Sequence, residues 1–300
     1  MPWIECVPNV SEGRRDDVVH TCATAIRGTG VALLDVHADR THNRSVYTFS
    51  GSAETLPDAV AAMFDMAVAA IDLRRHEGAH PRIGAVDVVP FVPLDGTTMT
   101  DCVTLAQSVG RQIAERYDVP IFLYEEAARS PERRHLQDIR RGGFEGLAKK
   151  MSRPDWTPDF GPSRPHPSAG ATAVGARRIL IAYNVNLATR RLDLAKNIAR
   201  SVRQSSGGLP FVKAIALPLP DRDLVQVSMN LTNFEKTSIV DAFQAVEQEA
   251  KREGVAVLES ELVGLAPAAA LSAAVAAHVM LKDFSDEMIL ERRLKTCLPL

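Results

Sequence analysis

Apolar positions in the first half of the chain switch between two spacings. Residues 3–7 alternate as a short strand and lead into the turn cluster Pro8-Asn9-Val10-Ser11-Glu12-Gly13. Val18, Val19, Cys22, Ala23 and Ile26 then recur at helical spacing until Gly28 and Gly30 stop them. Residues 31–36 form a β-branched, leucine-rich run, 37–43 a polar loop, and 44–50 alternate like a half-buried strand. A long amphipathic helix is predicted over 56–73, and beyond a turn rich in Gly, Pro and Arg the apolar run 86–92 reads as a buried strand.

That order is β-α-β-β-α-β, the ferredoxin-like arrangement. A helix over 101–117, a strand over 120–124 and a charged helical stretch over 131–141 are appended to it. Residues 151–170 break the pattern, because Pro154, Pro158, Pro162, Pro165, Pro167, Gly161 and Gly170 fit neither a helix interior nor a central strand. The stretch suits an inter-domain linker. Ser163, Arg164, His166 and Ser168 among the prolines also suit a rigid binding loop. The second half repeats the outline, with strands over 179–185, 211–217, 224–231 and 255–262 and helices over 190–204 and 238–253. Alanine-rich 267–280 and charged 285–296 read as terminal helices, the first packing on the core or a subunit interface. The fold class is therefore α+β, two ferredoxin-like subdomains with extra helices. The boundaries expected are 1–160, a linker and loop over 161–176, and 177–300.

Composition narrows the function class. Lys plus Arg, 35, nearly balances Asp plus Glu, 37, so no global charge points to nucleic acid or an anionic membrane. No apolar run reaches the length of a membrane-spanning helix, and the N-terminus lacks the basic-then-apolar layout of a signal peptide. Cys6, Cys22, Cys102 and Cys297 lack metal-ligand or redox spacing, and the first three fall in strand or helix patterns as buried free thiols. A reducing cytoplasm fits that usage.

The densest chemistry lies between residues 74 and 87. His76-Glu77-Gly78-Ala79-His80 matches the H-E-x-x-H pattern of zinc proteases, which needs a helix to bring both histidines to one face. Gly78 weakens a helix by about 1 kcal/mol, and Pro81 pushes His80 towards an extended backbone. A helix should end near Gly78, so no metal site is expected. What remains is a rigid turn carrying His80, a side chain suited to moving protons near neutral pH or simply to bonding the turn.

Longer blocks carry a resemblance. Residues 5–13 (Glu-Cys-Val-Pro-Asn-Val-Ser-Glu-Gly), His42-Asn43-Arg44-Ser45-Val46-Tyr47 and the run from Gly78-Ala79-His80-Pro81-Arg82 to Pro93 resemble the formiminotransferases. So do Trp156 to Ser163, Gly170-Ala171-Thr172, residues 182–187, 225–231 and 261–265, so that the likeness is co-linear over nearly the whole chain. The resemblance implies two ferredoxin-like subdomains facing each other across a groove, and transfer of a formimino group from N-formiminoglutamate to tetrahydrofolate in histidine breakdown. It implies His80 as the acid/base, and a folate-lining segment Gly161, Pro162, Ser163, Arg164, Pro165, His166, Pro167, Ser168, Ala169 and Gly170. Tetrahydrofolate would be a co-substrate, no metal would be needed, and a cytoplasmic homodimer is the default. Val10 stands where the family often has phenylalanine, and His37 where animal members carry an aspartate, with Asp39 two residues on. In animals the transferase is fused to a cyclodeaminase; this sequence resembles the stand-alone form.

The chemistry suits the residues. N5 of the folate would attack the amidine carbon, and the glutamate nitrogen leaves well only when protonated, a service one histidine can perform. Arg44 and Arg82 offer forked donors to carboxylates, or salt bridges. Asn43 belongs to the same substrate-binding or orienting set. Asp39 could bond the pterin, orient His80 or cap its loop. Formyl transfer from N-formylglutamate, hydrolysis of a related amidine, and a non-catalytic ligand-binding module are the competing readings.

Overall fold

The computed structural model describes residues 3–297; the outermost ends of the two predicted subdomains, residues 1–2 and 298–300, lie outside the described residues. Met1–Arg177 and Arg178–Leu300 form two compact units.

The first unit opens with β1 (Ile4–Cys6) and β2 (Asn9–Val10), then α1 (Asp16–Arg27), β3 (Ala32–Asp39), β4 (Arg44–Gly51), α2 (Leu56–Ala70) and β5 (Val86–Pro93). Glu12 holds the turn before α1, its Oε1 accepting the N–H groups of Arg14 and Arg15, while Asp16 and Asp17 sit in the first turn against the helix dipole. Both β1 and β2 lie antiparallel between β4 and β5, and β3 pairs with β4 on the outer side. This is the ferredoxin-like order expected. After α3 (Met99–Tyr117), opened by a Thr98/Asp101 capping box, come β6 (Ile121–Glu125), α4 (Leu136–Arg140), α5 (Gly143–Met151) and β7 (Thr172–Ala176).

Three segments depart from expectation. Strand β3 continues to Asp39 through residues predicted as loop, because its register with β4 runs on to the pair Asp39–Arg44. Helix α2 stops at Ala70, well short of Gly78; Ile71 is extended and the Leu73 N–H is bonded to the Ser168 carbonyl at 2.8 Å. Residues 161–176 belong to the first unit rather than to a free connection: β7 lies between β5 and β6, parallel to both, and every residue in it is buried.

The core lies between the sheet and α1, α2 and α3, with Tyr47, Phe49, Phe64 and Phe91 fully buried. Alternate residues of β5, β6 and β7 point the other way. There Val88, Phe122, Tyr124 and Ala173 pack with Ile139, Leu147, Met151 and Trp156 from α4, α5 and the turn after them. Cys6, Cys22 and Cys102 are buried free thiols.

The second unit is β8 (Ile181–Leu187), α6 (Leu192–Val202), β9 (Val212–Leu219), β10 (Leu224–Leu231), α7 (Ile239–Arg252) and β11 (Val257–Val263). Its antiparallel sheet runs β11-β8-β10-β9, again the ferredoxin-like order. The alanine-rich stretch makes only α8 (Ala273–His278), followed by α9 (Leu290–Cys297). Ala266, Leu271, Ala276 and Val279 are buried in the unit's own core, which is where the apolar character of that stretch is used.

Candidate active site

His80 sits in the irregular segment between α2 and β5, held on both sides by backbone. The Ala79 N–H reaches the Thr41 carbonyl at 3.4 Å, and a Cβ at Gly78 would stand 2.3 Å from the His42 carbonyl oxygen, so the loop after β3 and the His80 turn meet at contact distance. On the other side Leu73 bonds Ser168, Ala85 bonds Ala169 and Ala171 bonds Ile83, at 2.8 to 2.9 Å. Gly170 makes this possible. It has φ +72°, and a Cβ there would stand 2.0 Å from the Ile83 carbonyl oxygen. The proline-rich segment and the His80 turn are thus stitched together.

The His80 ring is fixed in one tautomer. Its Nδ1 lies 2.8 Å from the Pro81 carbonyl oxygen, which can only accept, so Nδ1 carries the hydrogen. Its Nε2 lies 2.6 Å from Nη1 of Arg44, which can only donate. Burial, and then the guanidiniums of Arg44 and Arg140, push the His80 pKa well below its usual value, so the ring is neutral at pH 7. Burial likewise lowers Arg44 to about 10, with Arg140 adding to it and Asp87 opposing it, and Arg44 stays charged. Asp87, buried at the start of β5, accepts the Ile83 N–H at 2.7 Å and both Nε and Nη2 of Arg140, at 2.8 and 2.5 Å.

The other predicted site residues divide by what their side chains already hold. Asn43, with φ +48°, accepts the Gly13 N–H at 3.0 Å and donates to the Glu77 carbonyl at 2.9 Å, bracing the turn. Arg82 forms a fork with Glu145 of α5, at 3.1 and 2.8 Å, and donates to Nδ1 and the carbonyl of His76. Its guanidinium thus ties the His80 turn to α5. His76 also meets the Asn43 carbonyl through Nε2, so both its ring nitrogens are engaged, and residues 76–80 are not helical. The H-E-x-x-H geometry is therefore absent.

In the proline-rich loop, His166 Nδ1 accepts the N–H groups of Ser168 and Ala169, which leaves the hydrogen on Nε2. The backbone of His166 closes on Gly170 through reciprocal bonds of 2.8 and 3.0 Å. Gly161, Ser163, Arg164 and Pro167 are exposed, Pro162, Pro165, His166 and Ser168 half-buried, and Ala169 and Gly170 buried. Arg164 bonds Asp118 at the surface.

Asp39 partners His42 rather than His80. Its Oδ1 accepts the His42 N–H and its Oδ2 lies 2.8 Å from His42 Nδ1. Burial pushes the carboxyl up, but those hydrogen bonds outweigh it and hold the pKa to about 2. Because the folded value is depressed, Asp39 stabilises the fold above its unfolded pKa near 4 and loses that contribution as pH falls towards 2. Asp39→Asn should cost about 2 kcal/mol at pH 7, and the gap from wild type should narrow below about pH 4 and close near pH 2. Urea unfolding at several pH values checks both; a pH-independent gap contradicts the charge argument.

His42, Asp87 and Arg140 lay outside the residues read as functional. The tight Asp39-x-x-His42 spacing at a hairpin end was the available signal, since an Asp there bonds groups two or three residues on. Arg140 gave none, because it reaches Asp87 from 53 residues away.

Comparison with known proteins agrees with this architecture. The family description "Formiminotransferase domain, N-terminal subdomain" matches residues 3–177 and "Formiminotransferase domain" matches residues 182–296. The chain is 45% identical to a glutamate formimidoyltransferase of Streptococcus pyogenes, over 97% of this chain and 98% of the relative. It is 46% identical to one of Thermoplasma acidophilum, over 98% of each. A rat formimidoyltransferase-cyclodeaminase is 42% identical over 91% of this chain but only 52% of its own length. With both halves of the family description matched in order and near-full-length relatives well above 40% identity, the chain belongs to the formiminotransferase family.

Proposed function

We propose that the protein transfers the formimino group of N-formimino-L-glutamate to N5 of tetrahydrofolate, giving 5-formiminotetrahydrofolate and glutamate, with His80 carrying protons. The observation that supports this most is the state of His80: a neutral imidazole, fixed in one tautomer, with its Nε2 against Arg44. A neutral ring can act as a base on N5 as that nitrogen attacks the amidine carbon. Arg44 must first leave Nε2, and an arriving substrate carboxylate is a better partner for a guanidinium than an imidazole is.

Tetrahydrofolate is read as co-substrate. Segment 161–170 would take it, because its backbone is stitched to the His80 turn while Ser163 and Arg164 are exposed and His166 is half-buried. Asn43 and Arg82 act by holding the turn through Glu77, His76 and Glu145. The proton chemistry needs no metal. A place in histidine breakdown follows from the donor. Cytoplasmic location and a homodimer belong to the same reading, on the strength of the buried thiols and the family respectively.

An absorbance assay with N-formiminoglutamate and tetrahydrofolate tests the reading. Formation of 5-formiminotetrahydrofolate by the purified protein is expected. Turnover only with N-formylglutamate, or without folate, would move the assignment to formyl transfer or amidine hydrolysis. Silence from folded protein that still binds folate would leave a binding module.

A further inference from the structure

His42 is the group beside His80 that the proposed reaction leaves unused. Its side chain is 9% exposed, and Asp39 grips it through both the backbone N–H and Nδ1. A carboxylate only accepts, so Nδ1 carries the hydrogen and the ring cannot flip without losing that bond. Nε2, on the far side of the ring, is buried and no group among the described residues pairs with it. Native folds keep few such atoms, and an unpaired one beside His80 calls for a partner from outside the chain. The ring meets His80 edge-on, with centroids 6.1 Å apart at 70°. Of the two imidazoles, His80 has both nitrogens engaged, whereas His42 has one uncommitted.

We propose that His42, oriented by Asp39, is a second proton carrier of this site, its Nε2 delivering a proton to the glutamate nitrogen that leaves. This rests on the formimino-transfer reading. As the N5–carbon bond forms, the N5 proton passes to His80. As the carbon–nitrogen bond to glutamate breaks, its electron pair stays on nitrogen, which takes the Nε2 proton of the His42 imidazolium. His80 then releases a proton to solvent and His42 gains one, so the cycle closes with no net proton change. The division follows the surroundings. His80 has Arg44 and Arg140 beside it, which oppose a cation there. A carboxylate at Nδ1, as Asp39 provides, is the arrangement that stabilises an imidazolium as it forms. The charged and titratable groups around the pair are Asp39 and His37 of β3, Arg44 of β4, Asp87 of β5 and Arg140 of α4.

His42→Asn keeps a donor for Asp39 but removes Nε2; His42→Gln returns a hydrogen-bonding amide near Nε2 that carries no proton. Both should lower kcat about 10²-fold with KM little changed, and His42→Asn, which keeps the Asp39 bond, should lose less thermal stability than His42→Gln. Activity within about 3-fold of wild type in His42→Asn, or restored by His42→Gln, overturns the proposal. If either variant unfolds, ring nitrogen NMR on wild type decides. The His42 Nε2 signal should move when tetrahydrofolate and glutamate bind, and an unmoved signal overturns it. Wild type that turns over no formiminoglutamate removes the underlying reading and this inference together. Normal wild-type turnover with active variants removes the inference alone.

Discussion

Replacing His80 with alanine should lower kcat with N-formiminoglutamate and tetrahydrofolate by about 10²- to 10⁴-fold while leaving the fold standing. The stability half of this expectation comes from the ring's bonds. It holds one carbonyl, that of Pro81, and one guanidinium, that of Arg44, at a half-buried position where water can replace it. The rate half comes from the chemistry: without a base the N5 proton stays on, and the adduct reverts rather than expelling glutamate. KM should change far less than kcat, because the role assigned to His80 is in the transition state rather than in binding. The pH profile adds a signature that a structural role would not give. The His80 pKa lies below the ordinary histidine value, so wild-type kcat/KM should be level near neutrality and fall tenfold per unit on the acid side of that pKa, where Nε2 is protonated. His80→Ala should lose that limb. A variant within about 5-fold of wild type would mean the proton travels by another group.

Much of the architecture was legible because amphipathic period determines it. The four strands and two helices of each ferredoxin-like unit fall within a few residues of their predicted places, since a helix or strand with one buried face must show it in sequence. Strand β7 escaped because it is buried on all sides. Thr172-Ala-Val-Gly-Ala176 shows no alternation, and Gly175 is required where a Cβ would stand 2.4 Å from the Tyr124 carbonyl oxygen. The glycine-bearing α5 was hidden for a related reason, Gly143 and Gly146 weakening its local signal. In the site, His80 stood out because a turn with so much chemistry is unusual. Side-chain type alone could not say which groups the fold consumes. Asn43 and Arg82 look like ligand contacts in sequence, yet Gly13, Glu77 and Glu145, from 30 to 63 residues away, take their donors and acceptors.

The largest stability effect expected lies one shell away, at Asp87. Asp87→Ala should destabilise the fold by about 3–5 kcal/mol, the usual cost of leaving one member of a buried ion pair alone. Two losses combine. The Ile83 N–H, buried, loses its acceptor, and Arg140, whose side chain is 14% exposed, loses the carboxylate that both Nε and Nη2 bond. Asp87→Asn separates them, keeping an oxygen for Ile83 while removing the charge, so its cost should be the smaller. Either change also leaves the guanidiniums of Arg44 and Arg140 facing each other without the carboxylate that offsets them. Activity should therefore fall along with stability, through Arg44 and the ring it bonds. Adding Arg140→Met to Asp87→Ala should recover most of the charge part, because removing both partners of a buried pair is far cheaper than removing one. Urea midpoints and kcat for the two single variants and the double variant form the test. A double variant no more stable than Asp87→Ala would mean that the Ile83 amide, not the ion pair, is what Asp87 serves.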